Sequence, residues 1–252
     1  MSEIVSWEDE LAELAKEEVA STSTMHQKMS ISNGVLKIGD SVVKDGELPC
    51  IVIASVNANR YYPGRFTRDA KGAESQPVCF SHSVDKDTMV PHPNSSQPQS
   101  KTCGECPMNE FGSSPTGGGK ACKNTKVLAI LPGGAMESVD TLNESDTFTL
   151  NVPVTSVKNW GKYVSTKLSV LKRPAMSVVT SLKVRPDPKT QAAVEFKLDS
   201  LVDFSVPGLL SAAKERAKLE EENLLKPYPV VDKGGKEDDE PEPPKQSRKA
   251  KY

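Results

Sequence analysis

The chain has 252 residues, 26% of them charged and 36% hydrophobic, which suits one core of moderate size with appended segments rather than two full domains. The formal net charge of −2 favours neither an anionic nor a cationic partner. No apolar stretch approaches the ~20 residues of a membrane-spanning helix, and the first residues lack the apolar run of a signal peptide. We therefore expect a cytoplasmic protein without a membrane partner.

Residues 1–24 predict a short acidic helix followed by a linker. Seven acidic side chains stand against one basic side chain before the linker, and Trp7, Leu11 and Leu14 recur at helical spacing. Ser6 precedes them and is a suitable N-cap. The Ser/Thr run that ends this stretch is typical of a linker.

Residues 25–206 predict a mainly β core of the α+β class with a few helices. Seven short runs are β-branched or alternate between apolar and polar residues, and turn residues separate them. A helix is expected over 156–168. This pattern favours a small closed or partly open β-barrel. The predicted strands are 35–38, 50–56, 77–80, 127–131, 147–152, 177–184 and 193–198.

Two different segments are predicted after the core. Residues 207–226 carry leucine and alanine at helical spacing among alternating charges, which indicates a C-terminal helix. Residues 227–252 are rich in proline, glycine and charge, with an acidic run at 237–240. Such a composition cannot bury enough apolar surface to offset the entropy of ordering, so we expect a disordered charged tail.

The most specific chemical feature is a group of four cysteines, Cys79, Cys103, Cys106 and Cys122. The C-x-x-C turn in the middle can place two thiolates on one tetrahedral ion, and the two outer cysteines can supply the remaining corners. The sequence therefore predicts a metal-stapled, cysteine-rich insertion at about 79–125, with one zinc ion as the cofactor.

Other uses of these cysteines are possible. Disulfides need an oxidising compartment, which the lack of an export signal disfavours. A thioredoxin-like pair opens a helix, whereas Pro107 and Gly112 break the chain after this C-x-x-C turn. Four thiolates also suit an iron–sulfur cluster, which stays open as an alternative to zinc. His82 or His92 could replace one cysteine ligand.

Basic and aromatic residues interleave in two places, although aromatic residues make up only 5% of the chain. The strip 59–68 follows the strongest predicted strand, and the segment 158–173 has five positive charges and no acidic residue. Cations neutralise nucleic-acid phosphates, while flat rings stack on unpaired bases at about 1–3 kcal/mol per base. The pattern predicts single-stranded DNA as the partner, bound by Arg60, Tyr61, Tyr62, Arg65, Phe66, Arg68, Lys158, Trp160, Lys162 and Tyr163.

Phosphate contacts are expected from the arginines and lysines of this set. Base stacking is expected from Tyr61, Tyr62, Phe66 and Trp160. The alternative for Trp160 and Tyr163 is a packing role in the core, with the neighbouring lysines merely solvated. Three further lysines are candidates to line the same groove: Lys120, Lys123 and Lys126.

Enzymatic patterns are not found in the sequence. The three histidines, His26, His82 and His92, do not form H-x-x-x-H or H-x-E spacings with other residues. The glycine-rich stretch 114–121 lacks both the first glycine and the final hydroxyl of a phosphate loop. We therefore expect a protein that is not an enzyme.

The order of these features resembles the helix-destabilising single-stranded DNA-binding proteins of tailed bacteriophages. The resemblance covers about residues 30–205 and is carried by Pro77-Val-Cys-Phe-Ser81, Cys103–Ser113, Gly119–Cys122 and Pro153–Trp160. It implies an OB-like core, sequence-independent binding of single strands in phage DNA replication or recombination, and a location in the host cell cytoplasm. The charged C-terminal tail is then the expected contact for replication or recombination proteins.

Two alternatives stay open. The first is a zinc-stapled module that mediates protein–protein interactions in a replication or transcription complex without touching DNA. The second is an iron–sulfur accessory protein of a nuclease.

Overall fold

The computed structural model describes residues 27–32, 34–39, 41–43, 46–64, 76–115, 117–187 and 191–226. The predicted N-terminal helix and linker (1–24) and the predicted tail (227–252) lie outside these residues. Within them, strands dominate and a few helices pack on the sheet, which confirms the prediction of a mainly β, α+β protein.

The strands, in chain order, are β1 (Gln27–Ser32), β2 (Val35–Ile38), β3 (Ser41–Val42), β4 (Glu47–Tyr61), β5 (Cys79–Ser83), β6 (Lys123–Pro132), β7 (Phe148–Val152), β8 (Val178–Asp187) and β9 (Gln191–Leu201). The α-helices are α1 (Val139–Glu144), α2 (Val157–Tyr163), α3 (Ser169–Leu171) and α4 (Leu209–Leu225). A π-helical turn, Val164–Leu168, joins α2 to α3 without a break. Short 3-10 turns lie at Pro107–Asn109, Val154–Ser156 and Ala175–Ser177.

All nine strands belong to one sheet, in the order β3-β2-β1-β7-β6-β4-β8-β9, with β5 pairing to β4. Every pairing is antiparallel except that of β1 with β7. The order ends at β3 on one side and β9 on the other, and the sheet curls into half a barrel rather than closing. The coarse prediction of a partly open β structure therefore holds.

Strand β4 is the centre of the sheet. It is 15 residues long, and β6 pairs with one of its edges over residues 50–60. Its other edge is shared, because residues 47–50 pair with β8 and residues 57–61 pair with β5. A register shift between Val52 and Ala54 marks an irregularity that bends the strand.

The sheet is covered on both faces, which explains the continuous apolar run in β4. Cys50 and Val52 point into a core on one face, together with the helical segment that starts at Val157. Ile51 and Ile53 point into a second core on the opposite face, which α1 and α4 cover. A strand that is buried on both faces cannot alternate with polar residues, so its sequence is apolar at successive positions.

Helix α4 is tied to the sheet by a buried ion pair. Glu220 is 2% exposed and accepts hydrogen bonds from Arg216 Nε at 2.8 Å and from the Thr147 hydroxyl at 2.6 Å. The Arg216 Nη2 atom also donates to Thr147 Oγ1 at 2.7 Å and to the Ser145 carbonyl at 3.2 Å. The segment before β7 is therefore fixed to the middle of α4 by polar contacts as well as by packing.

Most of the strands and helices predicted from the sequence are present in the structure. Each of the seven predicted strands overlaps an observed strand, and the helices predicted at 156–168 and 207–226 overlap α2 to α3 and α4. The sequence did not predict β1 or β3. Among the described residues, no helix combines the length and the hydrophobicity needed to cross a membrane.

We expect Glu220→Gln to lower the free energy of unfolding by about 1.5–3 kcal/mol, because a hydrogen bond to a charged group contributes about that much. Glutamine keeps the shape of the side chain but removes the charge that pairs with Arg216. Urea denaturation measures the effect, and Glu222→Gln, on the exposed side of α4, is the matched control. Equal stability of the two variants would contradict the role of the buried pair.

Candidate metal centre and nucleic-acid interface

The two outer cysteines lie on either side of the C-terminal end of β4. Cys79 begins β5 and is paired with Tyr61. Cys122 directly precedes β6, whose first residue, Lys123, is paired with Arg60 on the other edge. Forty-odd residues of sequence separate the two cysteines, but the sheet places both beside the same two residues of β4.

The loop between β5 and β6, residues 84–122 and hereafter the cysteine loop, positions the two inner cysteines. Cys103 N donates to the Met89 carbonyl at 2.9 Å, and Asn109 Nδ2 donates to the Cys103 carbonyl at 2.7 Å. Asn109 N also donates to the Cys106 carbonyl at 2.8 Å. Cys122 N donates to the Met108 carbonyl at 2.7 Å, which ties the turn after Cys106 to the start of β6.

All four cysteines line one enclosed pocket, hereafter the cysteine pocket. Each is a free thiol that is no more than 9% exposed, so the described structure contains no disulfide between them. Tyr61 and Asn59 of β4 line the same pocket, and no histidine, aspartate or glutamate does. As the side chains stand, no three His, Cys, Asp or Glu residues of the described ranges already form a set of metal ligands.

Neither candidate histidine joins the cysteines. His92 stacks on Phe80, with ring centroids 4.9 Å apart and an angle of 13° between the planes. His82 does not line the cysteine pocket, and burial lowers its pKa to about 4. The described arrangement therefore favours a set of four sulfur atoms over a mixed set that contains a histidine.

Burial and mutual proximity control the charge of the thiols. Burial, followed by the other three cysteines, raises the pKa of Cys122 to about 12. Burial likewise raises the pKa of Cys79, although a backbone hydrogen bond from Gln99 opposes this rise. Four thiolates in such a place repel one another, so a full set of thiolates requires a compensating cation.

Cys50 has a different role from the other four. It is fully buried in the core, its Sγ donates to the Thr180 carbonyl at 3.3 Å, and burial raises its pKa to about 12. Cys50 is therefore a packing residue.

The strip predicted at 59–68 is only partly described. Arg60 is half-buried, and its Nη2 atom donates to Asn151 Oδ1 at 2.8 Å. Tyr61 and Tyr62 are half-buried at the end of β4. The other predicted residues of the strip, Arg65, Phe66 and Arg68, lie outside the described residues.

The two aromatic residues predicted to bind nucleic acid in the second strip, Trp160 and Tyr163, are core residues instead. Trp160 is 6% exposed and Tyr163 is 3% exposed. Trp160 meets the Phe196 ring edge to face, with centroids 5.1 Å apart, and the Tyr163 hydroxyl lies 2.8 Å from Thr180 Oγ1. A ring buried in this way cannot stack on a base, so this part of the prediction is corrected in favour of its packing alternative.

The positive charges of the same strip lie on the surface. Residues 157–173, hereafter the basic segment, bury their rings against the sheet and expose all five basic side chains. Within the described residues, none of these five forms an ion pair, and the segment has no acidic residue. They are Lys158, Lys162, Lys167, Lys172 and Arg173.

The three lysines predicted to extend the groove contact neutral oxygen atoms near the cysteine pocket. Lys120 Nζ donates to Asn109 Oδ1 at 3.1 Å, and Lys123 Nζ donates to the Lys120 carbonyl at 3.1 Å. Lys126 Nζ donates to Asn57 Oδ1 at 3.2 Å, and burial lowers its pKa. Lys120 and Lys126 are half-buried, so Lys123 is the most accessible of the three.

One exposed ring was missed by the sequence analysis. Phe111 is 80% exposed at the tip of the cysteine loop. The loop is held under it by hydrogen bonds from Gly112 N to the Gly119 carbonyl at 2.9 Å and from Ser113 Oγ to the Glu110 carbonyl at 2.7 Å. A phenylalanine outside any predicted strand or helix, next to glycine, is the signal that could have identified it.

No known protein family, curated protein or solved structure matches this chain. The function is therefore inferred from the geometry and the charges of the described residues.

We expect Trp160→Ala to lower the free energy of unfolding by about 3–5 kcal/mol, because it removes a large ring from a packed core. Tyr163→Phe should cost about 0.5–1.5 kcal/mol, because it removes only the hydrogen bond to Thr180. Urea denaturation measures both values. A Trp160→Ala protein as stable as the wild type would show that the ring is not a core residue.

Proposed function

We propose that this protein binds single-stranded DNA without sequence specificity and is not an enzyme. The proposal rests on the basic segment, which buries its rings on one side and exposes its cations on the other. Its rings are anchored in the core, while its five cations face solvent without an acidic partner in the segment. A fixed row of like charges on a rigid helix is a suitable binding surface for the phosphates of a nucleic-acid strand.

Exposed rings favour a single strand over a duplex. Unpaired bases offer their faces to aromatic side chains, whereas the bases of a duplex are stacked on one another. Phe111 has the accessibility that stacking requires, and Tyr61 and Tyr62 are partly accessible at the end of β4. Phe111 therefore joins Tyr61 and Tyr62 as a candidate for stacking, and the buried Trp160 is no longer one.

The four cysteines are proposed to hold one zinc ion. The donor set fits, because four buried thiols converge on one pocket and its other lining residues are not acidic. Binding would include a change in the cysteine rotamers, since the side chains do not already form a ligand set. An iron–sulfur cluster uses the same ligands and is the alternative that metal analysis distinguishes.

The proposed ion has a structural role. All four ligands come from the protein, so the site has no open position for a substrate. The ion would join the cysteine loop to the end of β4 and so fix the loop that carries Phe111. Between Val84 and Cys122 the described chain has only the short 3-10 turn as regular structure, so ligation is expected to supply much of the loop's stability.

The resemblance to phage helix-destabilising proteins belongs to this proposal. An OB-like origin of the sheet is supported by the long strand β4, whose one edge is shared between two partner strands. We propose a role in DNA replication or recombination on the same basis, with other replication or recombination proteins as partners.

Zinc content tests the metal proposal. The purified protein should be colourless and contain about one zinc per chain, and Cys106→Ser should lose the metal. Cys50→Ser is the matched control and should keep it, because Cys50 lies in the core outside the cysteine pocket. A brown protein that contains iron would show that the site holds an iron–sulfur cluster instead of zinc. Full zinc content in the Cys79→Ser, Cys122→Ser double variant would overturn the four-ligand set.

Binding of labelled oligo-dT tests the function. Phe111→Ala should weaken binding by about 1–3 kcal/mol without changing the dependence on salt, because a ring contributes stacking and not counterion release. The matched control is Leu210→Ala, an exposed apolar residue on α4, on the other side of the sheet from the basic segment, which should bind like the wild type.

Fluorescence anisotropy at several salt concentrations measures these affinities. The wild type should bind single strands more tightly than the duplex of the same length at moderate salt. Equal affinity for both forms would reject the proposed function and favour the protein–protein interaction module.

A further inference from the structure

A groove of about 290 Å³ lies between the basic segment and strand β9. The rings of Tyr163 and Phe196 line it, and both are largely buried. The helix side contributes Lys162 and Lys167, and the strand side contributes Lys197. Lys197 was not among the predicted binding residues, because nothing in the sequence indicates that β9 lies beside the basic segment.

The π-helical turn brings the two helix lysines to the same groove. Lys162 and Lys167 are five residues apart, which in an α-helix would place them about 140° apart around the axis. The turn Val164–Leu168 has the i to i+5 hydrogen bonding of a π-helix, so residues five apart are brought close to the same side. Such turns in α-helices are frequent at functional sites.

Packing makes the groove rigid. Asn159 Nδ2 donates to the Val194 carbonyl at 2.8 Å, and Trp160 packs on Phe196, so the helix is fixed to β9 at two points. The Thr166 hydroxyl donates to the Lys162 carbonyl at 2.8 Å and leaves its oxygen able to accept. The backbone on both sides of the groove is therefore fixed before a ligand arrives.

The charge of the groove is positive. Glu195 is the acidic residue that lines it, and its carboxylate pairs with Arg185 at 3.1 Å, outside the groove lining. Glu47, whose charge also reaches Lys197, is paired with Lys183 at 2.7 Å. Three lysines therefore contribute to the groove, and the two carboxylates near them, Glu195 and Glu47, each already have a cationic partner.

We propose that this groove binds one nucleotide unit of the single strand, with its phosphate held among Lys162, Lys167 and Lys197. The inference rests on the proposed function and specifies where the strand lies. The volume supports a single unit, because it is close to the lower limit of about 300 Å³ for small-ligand pockets. The neighbouring nucleotides continue along the exposed cations of the basic segment, from Lys158 to Arg173.

The test compares Lys197→Ala with Lys214→Ala in binding to labelled oligo-dT over a range of salt concentrations. Both lysines are exposed, but Lys214 is on α4 and does not line the groove. Lys197→Ala should lower the slope of log affinity against log salt by about 0.7, which is about fivefold in affinity at 0.1 M salt. Lys214→Ala should change neither value.

The triple variant Lys162→Ala, Lys167→Ala, Lys197→Ala should lower the slope by about 2. Unfolding in urea should be unchanged, because all three side chains are exposed. If the wild type binds oligo-dT and Lys197→Ala binds equally well, the groove is not part of the path and the proposed function stands. If the wild type does not bind oligo-dT, the proposed function fails and the groove proposal fails with it.

Discussion

Burial of β4 on both faces is the constraint on which the rest of the structure depends. Its apolar residues join two cores, and its two edges hold β6, β8 and β5. A fifteen-residue strand with this many neighbours cannot shift its register without moving side chains from one core to the other. The end of β4 is therefore a rigid position, and the outer cysteines and Tyr61 are located there.

The basic segment shows how packing produces a charged surface. Trp160 and Tyr163 are buried against Phe196, and this contact determines which side of the helix faces solvent. The basic residues of the segment therefore lie on the side of the helix that faces solvent. The buried rings therefore fix the position of the helix whose lysines line the groove beside β9.

The cysteine loop depends on the sheet in a similar way. Cys79 and Cys122 are positioned by strand pairing, and the inner pair is positioned by backbone hydrogen bonds within the loop. Burial raises the pKa of Cys79 and of Cys122, whereas the thiolate is the form of cysteine that binds a metal cation. Phe111, at the tip of this loop, is accessible to solvent, whereas the rings of the basic segment are buried.

The sequence by itself determined the class of the fold, most strands and the grouping of the cysteines, because these follow from local patterns. Apolar runs such as 50–56 predict strands, and a C-x-x-C turn brings two sulfur atoms together within four residues of chain. It could not predict β1, whose sequence is partly polar and whose partner β7 is more than a hundred residues away.

Only the tertiary structure decided which aromatic residues are accessible. Trp160 and Phe111 look alike in sequence, since each stands beside or near glycine in a segment with lysines. Their burial differs because Phe196, from a distant strand, covers one and nothing described covers the other. The position of Lys197 beside the basic segment was likewise decided by the tertiary structure. Long-range packing, and not a local sequence pattern, brings β9 beside the helix.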